Sequence, residues 1–274
     1  MRAFESSTAS SLNNLRDLEG IPVEGGRIRA GMVFRSDDVS IVPAEDARAL
    51  ALLGIATVID LRSREEAAHT GRGELARHQV SYHSIPLTKG AGSPAEFTRL
   101  LASGQGDAGI VGSWYSRTAV AEAAGIARGL EIIADAPGGA LFHCTAGKDR
   151  TGIFAAALLS VLGAADEDIV LDYAASALTL PKIMARVSSS IGHLLGDAAP
   201  YFAAAATGTG PVSALIGADP ASMGAMLRIL RDEHGGLPRV LAEAGLGSDA
   251  VHRLRAKLVQ AGTGAAPAAS EARA

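Results

Sequence analysis

Apolar and polar positions change their spacing several times along this chain, and each change marks an element. Residues 12–36 read as short strands and turns, with a turn signal at Gly25-Gly26 and an apolar strand at Met32-Val33-Phe34. Pro43-Ala44-Glu45-Asp46 sets a proline and two acids in the first turn of a helix, which carries apolar residues through Leu53 and stops at Gly54. Ile55 to Leu61 reads as a buried strand with Asp60 near its end, and Val80 to Leu87 as another. Residues 88–109 are glycine-rich and loop-like, with a short helix around Phe97–Leu101. Residues 110–134 read as one long amphipathic helix in which Trp114 and Tyr115 are packing residues. Ala136-Pro137-Gly138-Gly139 then turns the chain into a strand at Ala140–His143, a short loop, and a helix over Arg150–Leu162 capped by Gly163.

This alternation predicts an α/β fold with a parallel-rich central sheet and helices on both faces. Beyond Gly163 strand signals mostly vanish. Residues 166–260 read as helices broken at Pro181, Pro200, residues 208–211 and Gly235-Gly236, the last two being amphipathic over 222–234 and 237–259. They form a C-terminal helical layer on a single domain of 274 residues. Residues 1–11, rich in Ser, Thr and Ala, and 263–274, rich in Ala and Pro, are expected to be disordered.

Composition narrows the picture. The chain is 48% hydrophobic, ample for one core. A net charge of −4 excludes a general nucleic-acid binder, so any attraction for an anion must be local to a cleft. A single cysteine excludes an internal disulfide framework and suits a reducing compartment. Nothing approaches the ~20 consecutive apolar residues of a membrane span; Phe154–Leu162 is too short and is the expected buried helix. Met1–Ser6 lacks the charged-then-apolar pattern of a signal peptide, which predicts a cytoplasmic protein.

The chemistry is concentrated in one loop, His143-Cys144-Thr145-Ala146-Gly147-Lys148-Asp149-Arg150-Thr151-Gly152. Five residues separate the only cysteine from Arg150, with a strand before and a helix after. The helix N-terminus offers unpaired N–H groups and a favourable dipole, so the backbone of Thr145, Ala146, Gly147 and Lys148 can cradle a phosphate. The same field, with Arg150 and Lys148, favours the thiolate form of a cysteine, which is its nucleophilic form. The planar guanidinium of Arg150 can grip two phosphoryl oxygens at once. Gly147 would give the turn a shape with no Cβ in the way of the ligand, and Thr151 can hydrogen-bond the sulfur. Together these point to phosphate-ester hydrolysis through a phosphocysteine; the alternative is that Cys144 is a small buried core residue.

The loop resembles the signature of the protein tyrosine phosphatase superfamily: His-Cys, five residues, Arg, then Ser or Thr. In its His-Cys-Thr-Ala-Gly-Lys-Asp-Arg-Thr-Gly form it is similar to a bacterial tyrosine phosphatase family. Asn14–Gly20, Gly26–Asp37, and Val58–Ser63 with Glu65-Glu66 agree with that family too, so the resemblance covers roughly residues 12–260. It implies a protein tyrosine phosphatase fold and hydrolysis of phosphorylated proteins, with dual specificity and phosphoinositide hydrolysis as further options. It implies no cofactor and no metal. It also implies that the helices of residues 166–217 form a lid over the site, although a layer that merely completes the core fits the pattern equally well. Members of the family are exported without an obvious signal, which leaves secretion open.

The best-known tyrosine phosphatases take the leaving-group proton from an aspartate in a Trp-Pro-Asp loop. Here the sole tryptophan, Trp114, is followed by Tyr115-Ser116, so that loop is absent. Two candidates for the acid remain. Asp149 lies within the phosphate loop, where it could instead simply stabilise the helix N-terminus. Asp60 lies at the C-terminal edge of a strand, where open parallel sheets bind ligands; it could instead pair with Arg62 or Arg150 and orient the clamp. Lys148 could meet a second phosphate of a phosphoinositide, or be solvated. Arg35 and Arg62 could extend a basic rim, whereas Arg64 reads as a solvated side chain. Two other classes stay in view: a non-catalytic phosphate-binding module, and arsenate chemistry, which usually wants additional cysteines. The sequence sets no oligomeric state.

Overall fold

The computed structural model describes residues 11–89, 99, 107–191, 196–207 and 216–261. The expected disordered tails and the helix expected around Phe97–Leu101 lie outside these residues, Ser11 and Arg99 apart, as does part of the expected lid.

The central sheet has five strands in the order β1-β4-β7-β5-β6. Here β1 is Arg16–Asp17, β4 Val33–Ser36, β5 Ile55–Asp60, β6 Ser81–Ser84 and β7 Gly139–His143. The four strands from β4 to β6 run parallel, and β1 joins β4 antiparallel. Successive side chains of a strand face opposite ways, and both faces are buried here. Val33, Ile59, Ala140 and Phe142 enter the larger core, while Phe34, Val58 and Leu141 enter a smaller one with Val39, Val42, Ala47 and Leu50. Helices therefore cover both faces, as the alternating elements predict.

The helices, in chain order, are α1 (Ala44–Leu52), α2 (Arg64–Thr70), α3 (Ala108–Ala121), α4 (Ala123–Asp135), α5 (Asp149–Leu162), α6 (Asp166–Ala174), α7 (Leu180–Ile191), α8 (Ala199–Thr207), α9 (Pro220–His234), α10 (Leu237–Glu243) and α11 (Ser248–Leu258). α1 covers the smaller core and α3–α6 with α9–α11 the larger. α5 is buried on nearly all sides, which suits its run of alanine and leucine. Gly163 ends it at φ +82°, the left-handed cap its sequence predicts.

Several expectations needed correction. The helix expected over 110–134 is two, because the backbone leaves helical geometry at Glu122 (φ −110°), whose buried carboxylate accepts the N–H groups of Thr88 (2.8 Å) and Lys89 (2.5 Å). The helix expected over 237–259 divides at Gly245, where φ reaches +106°. Pro181 and Pro200 mark boundaries between helices, as expected. They sit in the first turns of α7 and α8, where a missing N–H loses no bond. The strand expected over Val80–Leu87 spans only Ser81–Ser84. A strand no pattern announced, β8 (Val259–Ala261), pairs with β3 (Gly26–Ile28), which also pairs with β2 (Pro22–Val23) in a small antiparallel sheet. α2 was not expected either, yet Ser63 and Glu66 form a capping box at its start. Among the described residues no helix is long and apolar enough to cross a membrane.

Candidate active site

Cys144 to Lys148 form the loop between β7 and α5. Cys144 is buried, and the Gly147 N–H donates to its sulfur at 3.3 Å. Three carbonyls of the loop are held from outside. Thr145 O accepts from the Asp38 N–H at 3.2 Å, Ala146 O from Asn14 Nδ2 at 3.2 Å, and Gly147 O from Asn14 Nδ2 at 2.9 Å and Arg35 Nη2 at 2.8 Å. In a trans peptide the N–H points opposite to the carbonyl. The N–H groups of Ala146, Gly147 and Lys148 are thereby turned inward, as the Gly147 bond to sulfur shows. Anchoring the oxygens thus builds an anion cradle out of backbone.

Gly147 has φ +69°, and a Cβ there would lie 2.6 Å from Asp37 N and Ser36 O. The glycine gives the turn its shape, as expected, and also lets the loop rest on the end of β4.

Arg150 presents its two terminal nitrogens to the Glu66 carboxylate, Nη1 to Oε2 at 2.5 Å and Nη2 to Oε1 at 2.8 Å. Thr145 Oγ1 donates to Glu66 Oε1 at 2.6 Å, and the Ser63 N–H to Oε2 at 2.7 Å. Burial pushes the Glu66 carboxyl up, but Arg150, Thr145 and Ser63 outweigh it and bring it down to about 2. Burial works against the charge on Arg150, yet Glu66 and the nearby Cys144 hold it above its ordinary value. The sequence reading gave Glu66 no role, although the Ser-x-x-Glu spacing was there to be seen.

Asp60, one of the two expected acids, is buried deep behind the loop. Its oxygens take Arg62 Nε at 2.9 and 3.1 Å, Arg62 Nη2 at 2.6 Å and the Tyr82 hydroxyl at 2.6 Å. Burial alone would raise its carboxyl; His143, Arg62 and Tyr82 together hold it far below the usual range. A carboxylate kept ionised and enclosed is a poor proton donor. Arg62, expected on a basic rim, is a buried strut: beyond Asp60 it reaches Asp38 (3.0 Å), Ser40 (2.8 Å), Thr70 (2.6 Å) and the Gly71 carbonyl (3.0 Å). Arg64 is exposed, as expected.

Arg35 also lies beneath the loop rather than on a rim. It is fully buried, binds the Gly147 carbonyl, and pairs through Nη1 with Asp172 on α6. Arg16 Nε reaches the other oxygen of Asp172 at 2.8 Å. Burial, with Arg16 nearby, brings Arg35 down to about 10. Asp172 therefore carries two guanidiniums, one of them fastened to the phosphate loop. Asp172→Asn should cost about 3–5 kcal/mol of stability, the range for breaking a buried pair from one side. Urea unfolding checks it, and a loss below ~1 kcal/mol would mean the network relaxes without its acid.

The remaining loop residues were only partly anticipated. Lys148, read as either solvated or aimed at a second phosphate, is 2% exposed. Its Nζ donates to the Ile216 and Gly217 carbonyls at 2.9 Å each and lies 3.2 Å from Asp149 Oδ1. Thr151 Oγ1 is buried and makes no hydrogen bond, so the expected bond to the sulfur is not formed. Asp149 opens α5 with its side chain 35% exposed, and accepts a hydrogen bond from the Tyr115 hydroxyl. Tyr115 was read as packing; apolar periodicity registers its ring and is silent about its oxygen. Among the described residues there is no cluster of His, Cys, Asp and Glu able to hold a metal.

A family model described as "Tyrosine phosphatase family" matches residues 7–260, and the chain belongs to that family. It is 34% identical over 174 residues to the Cupriavidus necator "Putative tyrosine-protein phosphatase H16_A0669", a match covering 60% of each chain. It is 29% identical over 238 residues to the "Tyrosine-protein phosphatase" of Nostoc commune, covering 86% of this chain and 76% of that one. It is 28% identical over 260 residues to the "Triple specificity protein phosphatase PtpB" of Mycobacterium tuberculosis, covering 85% of this chain and 92% of that one.

Proposed function

We propose that this chain is a protein tyrosine phosphatase that hydrolyses phosphate monoesters through a phosphocysteine. The observation that carries this is the Gly147 N–H donating to Cys144 Sγ inside a loop whose carbonyls are anchored from outside, with the Arg150 fork already set by Glu66. The phosphoryl group sits on the loop's inward N–H groups. Two of the five N–H donors of Arg150 are spent on Glu66, leaving Nε–H and further Nη–H bonds for phosphoryl oxygens. The sulfur attacks phosphorus, the S–P bond forms and the ester O–P bond breaks. Water then attacks phosphorus and releases the sulfur. Asp149 is the acid that protonates the leaving oxygen, since it is partly exposed in the loop while Asp60 is sealed in an ion pair.

The names of the Nostoc and Mycobacterium relatives support phosphorylated protein as the substrate, phosphotyrosine first, with dual specificity open. The engagement of Lys148 with the Ile216 and Gly217 carbonyls counts against a second phosphate contact, and so against a phosphoinositide as the preferred substrate. The presence of both Cys144 and Arg150 counts against a non-catalytic binding module. A single thiol that must stay reduced supports a cytoplasmic place of action. α6 and α7 are tied to the base of the site through Asp172 and through Arg186, which pairs with Asp37 at 3.2 Å. Within a single domain they support the loop; a lid would rest with other parts of residues 166–217.

Rapid acid quench during turnover of a phosphotyrosine peptide should leave labelled phosphate on Cys144. Turnover with label elsewhere, or with no label, overturns the mechanism. Faster turnover of a phosphoinositide than of the peptide would reverse the substrate assignment.

A further inference from the structure

Asp149 is held by a pair of buried phenols. Tyr115, on α3, donates its hydroxyl to Asp149 Oδ1. Tyr173, on α6, places its own hydroxyl 2.9 Å from that of Tyr115, and the two rings meet edge to face with centroids 6.0 Å apart. Both side chains are 1% exposed. A glycine inside α5 makes room for them: a Cβ on Gly152 would lie 2.9 Å from the Tyr173 ring. Glycine within a helix costs about 1 kcal/mol relative to alanine. Burying a hydroxyl is unfavourable unless it is bonded, so phenylalanine would fill this corner as well if only packing mattered. The chain of hydroxyls ends on one atom, Asp149 Oδ1, which Lys148 Nζ also approaches at 3.2 Å. Among the described residues no hydrogen bond takes Oδ2 of this partly exposed side chain.

We propose that Tyr115 is a positioning residue for proton transfer: it fixes Asp149 through Oδ1, so that Oδ2 is the atom that gives and takes the proton, with Tyr173 fixing Tyr115 in turn. The inference rests on the phosphocysteine reading with Asp149 as acid. In the first step the S–P bond forms, the ester O–P bond breaks, and the Oδ2 proton passes to the leaving oxygen. In the second, water gives a proton back to Oδ2 as its oxygen bonds phosphorus and the S–P bond breaks. Burial, with the charge of Asp149, holds the Tyr115 phenol well above its ordinary value, so it remains a donor at neutral pH. The other charged groups around this corner are Lys148 and Arg150 beside Asp149, and Arg35 and Asp219 near Tyr173.

The test is kcat/KM on aryl phosphates, which reports the first transfer. A nitrophenol leaves readily without a proton; phenol does not. Asp149→Asn should lose little on nitrophenyl phosphate and about 10²-fold on phenyl phosphate, within the usual worth of an acid. Tyr115→Phe, which removes one oxygen, should show the same graded loss, about tenfold on phenyl phosphate, and Tyr173→Phe a smaller one. The two esters are compared within one preparation, so any unfolded fraction cancels. A uniform loss in Tyr115→Phe beside a graded loss in Asp149→Asn overturns the positioning role and leaves the phosphatase reading intact. An ungraded loss in Asp149→Asn removes the acid assignment and this inference with it.

Discussion

Cys144→Ser should abolish turnover while sparing ligand binding. The expected fall in kcat is roughly 10⁴–10⁶-fold, as when the nucleophile of a covalent mechanism is removed. The substitution exchanges sulfur for a smaller oxygen in a buried position and leaves the cradle in place. The N–H groups of Ala146, Gly147 and Lys148 are aimed by carbonyls bonded to Asp38, Asn14 and Arg35, none of which depends on the sulfur. Arg150 is set by Glu66, again without the sulfur. What is lost is chemistry: a neutral hydroxyl is a weaker nucleophile than a thiolate, and an alkoxide is a far poorer leaving group in the second step. Calorimetric titration of the variant with a phosphotyrosine peptide should return an affinity close to the wild-type KM. Turnover within tenfold of wild type would take Cys144 out of the mechanism. Loss of binding together with turnover would show that the sulfur shapes the cradle, which the hydrogen bonds above argue against.

The β7–loop–α5 unit was legible in the sequence because the signals that announce it are local. The strand, the turn glycine, the helix and the Cys144–Arg150 spacing fall within one short stretch, and the dipole that serves the cysteine comes from its own helix. The sheet followed from the alternation of elements. The partners were not legible, because they arrive from far along the chain. Glu66 stands 84 positions from Arg150, and Asp172 stands 137 from Arg35. A charged residue looks the same in sequence whether solvated or buried, and only packing decides. Arg35 and Arg62 were therefore expected on a rim. Both are buried because carboxylates and carbonyls meet them: Asp172 and Gly147 for one, Asp60, Asp38 and Gly71 for the other. β8 is three residues long, too short to show a period, and exists only because Gly26 lets its backbone approach.

Arg150→Lys should lower kcat by roughly 10³–10⁵-fold, the range in which a transition-state arginine counts in phosphoryl transfer. The position keeps its charge, so the loss measures the fork. Arg150 must hold Glu66 with two Nη atoms and still offer coplanar N–H groups to phosphoryl oxygens. An ammonium can satisfy the carboxylate or approach the phosphate, but it has no rigid plane to keep both in register. Glu66 is ionised throughout the assay range. Its carboxyl is brought down to about 2 from an ordinary 4.5, so the stability the pair contributes is fully present above about pH 4.5 and is lost only as pH falls toward 2. The deficit of the lysine variant should therefore stay constant between pH 5 and 7, which steady-state kinetics across that interval would show. A loss below tenfold would mean that charge alone suffices at this position. A deficit that shrinks as pH falls from 7 to 5 would mean that a group other than Glu66 governs the clamp.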